Sequence, residues 1–246
     1  MSFDATEADV LFYQDRLGPA ERIAQRCLAA AEASEDPEVV RVRAQASQRM
    51  AEVAFLRGDL EGALEWHRRT LACAEVTGLA WRVRIARLNI ADLLVVLGRA
   101  GEAIAICDAV LAEAKAERDR DNVTAATEQR AQMELLLGRG AAVRDYLEQR
   151  VAEHEAGSDA WRLAGALPYT TLAALEAGED DASIERRVRR LLGVFRNAPH
   201  EGPCSVEAIR RVALALEERG SFVLAREVDR LLDERAELHR AGLAAD

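Results

Sequence analysis

Five glycines, Gly18, Gly58, Gly98, Gly138 and Gly178, stand forty residues apart, and Gly220 falls two residues off the beat. A fixed spacing of this length constrains the fold more than any other feature of the chain. It implies one supersecondary unit repeated along the sequence, each copy too small to bury its apolar face alone and so dependent on its neighbours. The units read as helical. Apolar residues recur at three and four, as in Ile85, Leu88, Ile90, Leu93 and Leu94 and in Val143, Tyr146, Leu147 and Val151, with no alternating stretch. Half of the residues are hydrophobic, only 4% are aromatic and there are five prolines, a composition suited to an all-α chain. Stacks of helical units offer extended surfaces that hold other molecules and seldom build bond-making sites.

The residues around each glycine define the unit. Seven before it lies a small residue: Ala51, Ala91, Ala131, then Thr171. Five after it comes another position that is mostly small: Ala63, Ala103, Val143, Ser183, and Ala225 after Gly220. Thirteen after it stands a large aliphatic: Leu71, Leu111, Val151, Leu191. Small residues at matched places on consecutive helices let the helices approach closely, and the aliphatics fill the seam. Leu17, Leu97 and Leu137 each precede a glycine, which predicts left-handed glycine caps closing three helices.

This spacing resembles the tetratricopeptide repeat (TPR). The match is fullest over 41–75 and 81–115 and weakens outward, where Val143, Ser183 and an in-helix Pro168 depart from it. The period is forty residues rather than the family's usual length of about 34. Trp81 and Trp161 stand seventeen residues before their glycines, not at the family's tryptophan place. HEAT-like repeats share the longer period, so the offsets around glycine decide the reading. The resemblance implies an all-α, right-handed α-solenoid of TPR-like helix-turn-helix repeats, about five to six helical pairs. One domain, 1–246, is expected: an N-terminal unit at 1–36, central repeats at 37–196 and a C-terminal capping pair at 204–246. Turns are expected at Ser34–Pro37, Asp119–Asn122 and Gly157–Asp159, where aspartates can cap the following helices. The sharpest break is expected at Asn197–Pro203.

Composition also narrows the partner. Formal charge is −10, which disfavours a nucleic-acid backbone. No apolar run approaches a membrane span, and an acidic N-terminus without an apolar core predicts a cytoplasmic protein. Lys115 is the only lysine among 33 basic residues, a bias associated with GC-rich bacterial genomes. Cys27, Cys73, Cys107 and Cys204 are too scattered for a disulfide framework.

Candidates for chemistry fall away one by one. Cys27, His67 and Cys107 all lie nine residues after their glycines, which places them at equivalent points of successive helices. Equivalent points lie about 10 Å apart, whereas a shared zinc needs ligands within about 2.3 Å, so packing is expected and no metal or cofactor. His154-Glu155 and His200-Glu201 lack the second histidine of a metalloprotease helix. The cluster Arg186, Arg187, Arg189 and Arg190 reads as a solvated face or ion-pair strip. No catalytic residue is assigned.

The TPR resemblance further implies a concave groove lined by the first helix of each unit. Its groove positions lie thirteen, ten, nine, six and three residues before the glycine. Carried over, they are Gln45, Gln48, Arg49, Glu52 and Phe55, then Ile85, Leu88, Asn89, Asp92 and Val95, then Ala125, Glu128, Gln129, Gln132 and Leu135, with Tyr169 and Leu172 following. Arg49, Asn89, Gln129 and Tyr169 would form one row of hydrogen-bonding side chains above an apolar floor, a pattern that holds an extended peptide. The family's carboxylate clamp is not reproduced, and Glu52 and Asp92 would oppose an acidic terminus. The expectation is a scaffold or adaptor that binds a neutral or basic segment of a protein or peptide. Self-association through an end unit is a further expectation. The alternatives are a ligand-sensing regulator acting through a separate effector and, less favoured, a helical-repeat enzyme using Glu52, Asp92, Glu128 and Tyr169.

Overall fold

The computed structural model describes residues 5–32, 34–197 and 203–244, with backbone only for Pro203 and Cys204. The expected break around 198–202, the pair His200-Glu201 and the first four residues lie outside the described residues. Among the described residues there is no strand. Twelve α-helices follow one another: α1 (Ala5–Tyr13), α2 (Leu17–Ala31), α3 (Pro37–Leu56), α4 (Leu60–Thr77), α5 (Ala80–Val96), α6 (Ala100–Ala116), α7 (Arg120–Leu136), α8 (Arg144–Ala156), α9 (Ala160–Glu176), α10 (Asp181–Phe195), α11 (Pro203–Glu218) and α12 (Phe222–Ala244). A 3₁₀ turn at Gly140–Ala142 precedes α8. No helix among the described residues is long and apolar enough to cross a membrane.

In the backbone the forty-residue beat resolves into a twenty-residue one. Gly58, Gly78, Gly98, Gly138 and Gly178 all take positive φ, and Arg118 (φ 57) and Ser158 (φ 54) fill the intervening places. Each stands just past a helix end. At Gly98 the closure is a Schellman turn, in which the Gly98 N–H donates to Val95 O (3.0 Å) and the Arg99 N–H to Leu94 O (2.7 Å). One helix with its turn thus occupies twenty residues, and a helical pair forty.

Gly18 breaks the pattern and corrects the sequence reading. It lies buried inside α2, while Asp15 (φ 58) takes the left-handed place and the Arg16 N–H donates to Leu11 O (2.9 Å). The first helix is only nine residues long, so its cap comes three residues before the beat.

A methyl group added at Gly98 would meet no atom within 4 Å. The whole cost of Gly98→Ala is then the left-handed backbone, roughly 1 kcal/mol. Urea unfolding should show that loss with an unchanged m-value. A much larger loss would mean that the glycine does more than cap.

Aspartates open the helices as expected. Asp36, Asp119 and Asp159 accept from the N–H groups of Glu38 (2.9 Å), Asn122 (3.2 Å) and Arg162 (3.0 Å). Asp59 and Asp180 cap α4 and α10 in the same way. The small residues before and after the caps are fully enclosed: Ala51, Ala63, Ala91 and Ala103 all have zero exposure. Their missing bulk lets consecutive helices close on one another. Leu71 and Leu111, expected to fill the seam, are half-buried, whereas Val151 and Leu191 are core residues.

The chain packs as two compact units, one of residues up to 126 together with those from 236 onward, the other Thr127–Arg235. In the first, α1 through α6 pack in chain order, and α1 also touches α3. The end of α12 belongs to this unit. Leu243 packs against the cluster of Leu11, Phe12, Leu17, Ala20 and Val53. A Cβ at Gly242 would lie 2.1 Å from the Asp15 carbonyl oxygen, so only glycine permits this approach to the α1–α2 turn.

In the second unit α9 is the hub, contacted by α8, α10 and α11. Every residue from Ala166 to Leu175 is buried as a result, Pro168 included.

Candidate interaction surface

The residues expected in the groove divide into accessible and enclosed sets. On α3, Gln45, Gln48, Glu52 and Phe55 are half-buried, but Arg49 retains only 4% exposure. Its guanidinium is used inside the fold. Nε and Nη2 reach Asp9 Oδ1 at 3.0 and 2.9 Å, Nη1 pairs with Glu52, and the group lies 4.2 Å from the Phe12 ring centroid. Gln45 also donates to Asp9, and Gln48 donates to Glu52 at 3.2 Å. Arg49 therefore fastens α1 to α3 and is not open to a partner. Burial pushes the Glu52 carboxyl above the usual range, against the opposing pull of Arg49 and Gln48.

Asp9 is the residue that the groove reading missed, although a signal was present. Asp9 and Arg49 are one period apart, so the row Arg49, Asn89, Gln129, Tyr169 extends back to Asp9. The same separation recurs in the second unit, where Ser205 Oγ donates to Gly165 O (3.4 Å) and Arg219 binds Glu179 O.

On α5 the set divides cleanly. Leu88 (5% exposed) and Val95 (9%) are core, Ile85 is exposed, and Asn89 and Asp92 are half-buried. Ile85, Asn89 and Asp92 are spaced four and three apart, which puts them on one helix face. Beside them Arg84 is buried. It pairs with Glu117 and, at 2.8 Å, with Asp119, which also accepts from the Asn122 side chain at 2.7 Å. The hydrogen bonds from the side chain and backbone of Asn122, with that from Arg84, hold the Asp119 carboxyl below its ordinary range. This cluster locks the α6–α7 turn onto α5.

In the second unit Glu128, Gln129 and Gln132 are half-buried on α7. Glu128 accepts from Arg150 Nε at 3.0 Å and lies 3.3 Å from His154 Nε2. Tyr169 (1% exposed), Leu172 (3%) and Leu135 (0%) are enclosed, and Ala125 on α7 is half-buried. Tyr169 was expected to face a partner; it is instead buried on a helix packed against α8, α10 and α11.

Other sequence-level candidates resolve as packing or ion pairing. Cys27, His67 and Cys107 are all buried. In the arginine cluster, Arg187 binds Glu148 (2.8 Å) and Glu179 (3.0 Å), Arg189 binds Glu185 (2.9 Å), and Arg190 pairs with Glu155. Burial alone would lift the Glu179 carboxyl, but bonds from Arg187 and Ser183 bring it below its ordinary range. What remains half-exposed is a half-polar strip on α5 and, separately, one on α7.

Compared with known proteins, the chain matches no family model and no curated sequence.

Proposed function

We propose that this chain is a TPR-like, right-handed α-solenoid of five to six helical pairs that serves as a scaffold, holding an extended, neutral or basic segment of a partner protein. The observation that carries this reading is contact at one full period, between Asp9 and Arg49, Gly165 and Ser205, and Glu179 and Arg219. Residues forty apart meet when equivalent points of successive helical pairs are stacked, and stacked pairs present their first helices as a common surface.

The strip on α5 supplies the chemistry of recognition in the first unit. The amide of Asn89 can both donate to and accept from a peptide backbone. Ile85, one turn away, offers an apolar contact, and Asp92 favours a basic residue over an acidic one. Extended peptides are held by this combination of backbone bonding and side-chain contacts.

Photo-crosslinking tests the assignment. A crosslinker at Asn89 should trap a partner protein, whereas the same group at Ala109, on the exposed side of α6, should not. Equal yields from both positions would refute α5 as the docking surface.

A further inference from the structure

A trough of about 550 Å³ runs between α2 and α4, with α3 as its floor. That volume falls within the roughly 300–1,000 Å³ of small-molecule sites. The walls are largely apolar, with Leu28 from α2 and Trp66 and Val76 from α4; Val76 is 66% exposed.

Two guanidinium groups face this apolar lining. Arg43 rises from the floor, where Nη1 donates to Glu32 O (3.1 Å) and Ala31 O (3.4 Å) and Nε to Cys73 Sγ (3.4 Å). Those bonds offset the carbonyls at the C-terminal end of α2 and hold the side chain in place. Nη2 makes no hydrogen bond among the described residues. Arg69 lies over the Trp66 ring, 4.5 Å from its centroid, with a single long bond of 3.4 Å to Glu65. Glu32 is the one carboxylate among the residues lining the trough. The lining therefore carries two guanidinium groups against one carboxylate, and Glu65, paired with Arg69 at 3.4 Å, lies beside it.

We propose that this trough binds a small amphipathic carboxylate, its hydrocarbon body against Leu28, Trp66 and Val76 and its carboxylate on Arg43 and Arg69. Arg69 commits only Nε, to Glu65, so its Nη1–Nη2 edge can meet a carboxylate as a planar fork, and Arg43, with Nε and Nη1 committed, adds a donor from Nη2. Arg43 is already immobilised, so little side-chain freedom is lost when the anion binds. No α5 residue lines this trough, and the proposal stands whether or not the scaffold reading holds.

Calorimetry and intrinsic tryptophan fluorescence on the full chain, with decanoate as probe, test the proposal. Decanoate should bind about tenfold tighter than decanol, the effect of one charge-assisted pair, and decyltrimethylammonium should not bind. Arg69→Gln should weaken decanoate about tenfold, and Ala72→Trp, which fills the trough, should abolish binding. Residues 69 and 72 are both exposed, so each variant should leave the melting temperature within a few degrees of wild type. Equal affinity for decanol, decanoate binding that survives Ala72→Trp, or no decanoate binding at millimolar concentration would overturn the proposal. Binding of an acidic peptide at this trough in place of decanoate would overturn it too, by assigning the trough to a protein segment.

Discussion

Acidification from pH 7 to pH 4 should remove about 3 kcal/mol of stability through one side chain, His67. This imidazole is 6% exposed on α4, and its Nδ1 has no hydrogen-bond partner among the described residues. Burial alone lowers its pKa from 6.5 to about 4. The sign follows from proton counting. Between pH 6.5 and 4 the unfolded chain binds a proton at this residue and the folded chain does not, so the unfolded state gains as pH falls. The contribution is fully present above pH 6.5 and is lost progressively down to about pH 4.

Replacing the residue by His67→Leu keeps an apolar group of similar bulk and removes the titration. At neutral pH the variant should be at least as stable as the wild type, since a buried nitrogen without a partner disappears. Urea midpoints measured at several values between pH 7 and pH 4 should fall less steeply for the variant, and the gap should widen toward pH 4. Titrating groups common to both proteins, such as Glu52, cancel in that difference. Parallel curves would show that His67 is hydrated or paired in the folded protein.

The second large effect is expected at Arg49. Arg49→Ala should lower stability by about 3 kcal/mol, because removing one member of an enclosed ion cluster leaves its partners uncompensated. Asp9 and Glu52 would then share the space without a cation, and the stacking on Phe12 would be lost. Both carboxylates retain partial exposure, 25% and 28%, so water relieves part of the strain and the lower end of the usual range applies. Arg49→Lys should fall between wild type and alanine, since an ammonium keeps the charge but not the fork or the stacking. Backbone hydrogen exchange should locate the damage in α1, which Arg49 ties to α3. A loss below about 1 kcal/mol, the size of an exposed pair, would mean that the cluster is open to water.

Much of the backbone could be read from glycine because glycine is the residue that takes left-handed φ without a steric cost. Gly58, Gly98, Gly138 and Gly178 marked their turns for that reason. The turns at Asp15, Arg118 and Ser158 could not be seen in this way, because non-glycine residues take the left-handed region only occasionally and are weakly marked by residue type. Gly18 misled, since the shortened α1 moves its cap to Asp15. The capping aspartates at 36, 119 and 159 were legible because a side-chain acceptor before a helix meets a local need.

The candidate surface was legible only in part. Offsets along a helix place residues on a face, but they do not show which faces a neighbour covers. Arg49 had the right offset and the wrong environment, because Asp9 stands one period earlier and neutralises it. Tyr169 had the right offset too, but three helices enclose α9. Asn89 and Asp92 share the offset and stay half-open. The trough was beyond reach of any spacing rule, since Leu28, Arg43, Arg69 and Val76 come from three helices with no common period.

The most direct test of the scaffold reading is affinity capture from a lysate of the source organism with the wild-type chain and with Asn89→Arg. The substitution places a bulky cation on the α5 strip and, at a half-buried position, should leave the melting temperature within a few degrees of wild type. The account predicts a protein that the wild type retains and the variant loses. Identical captured sets from two equally stable proteins would contradict it.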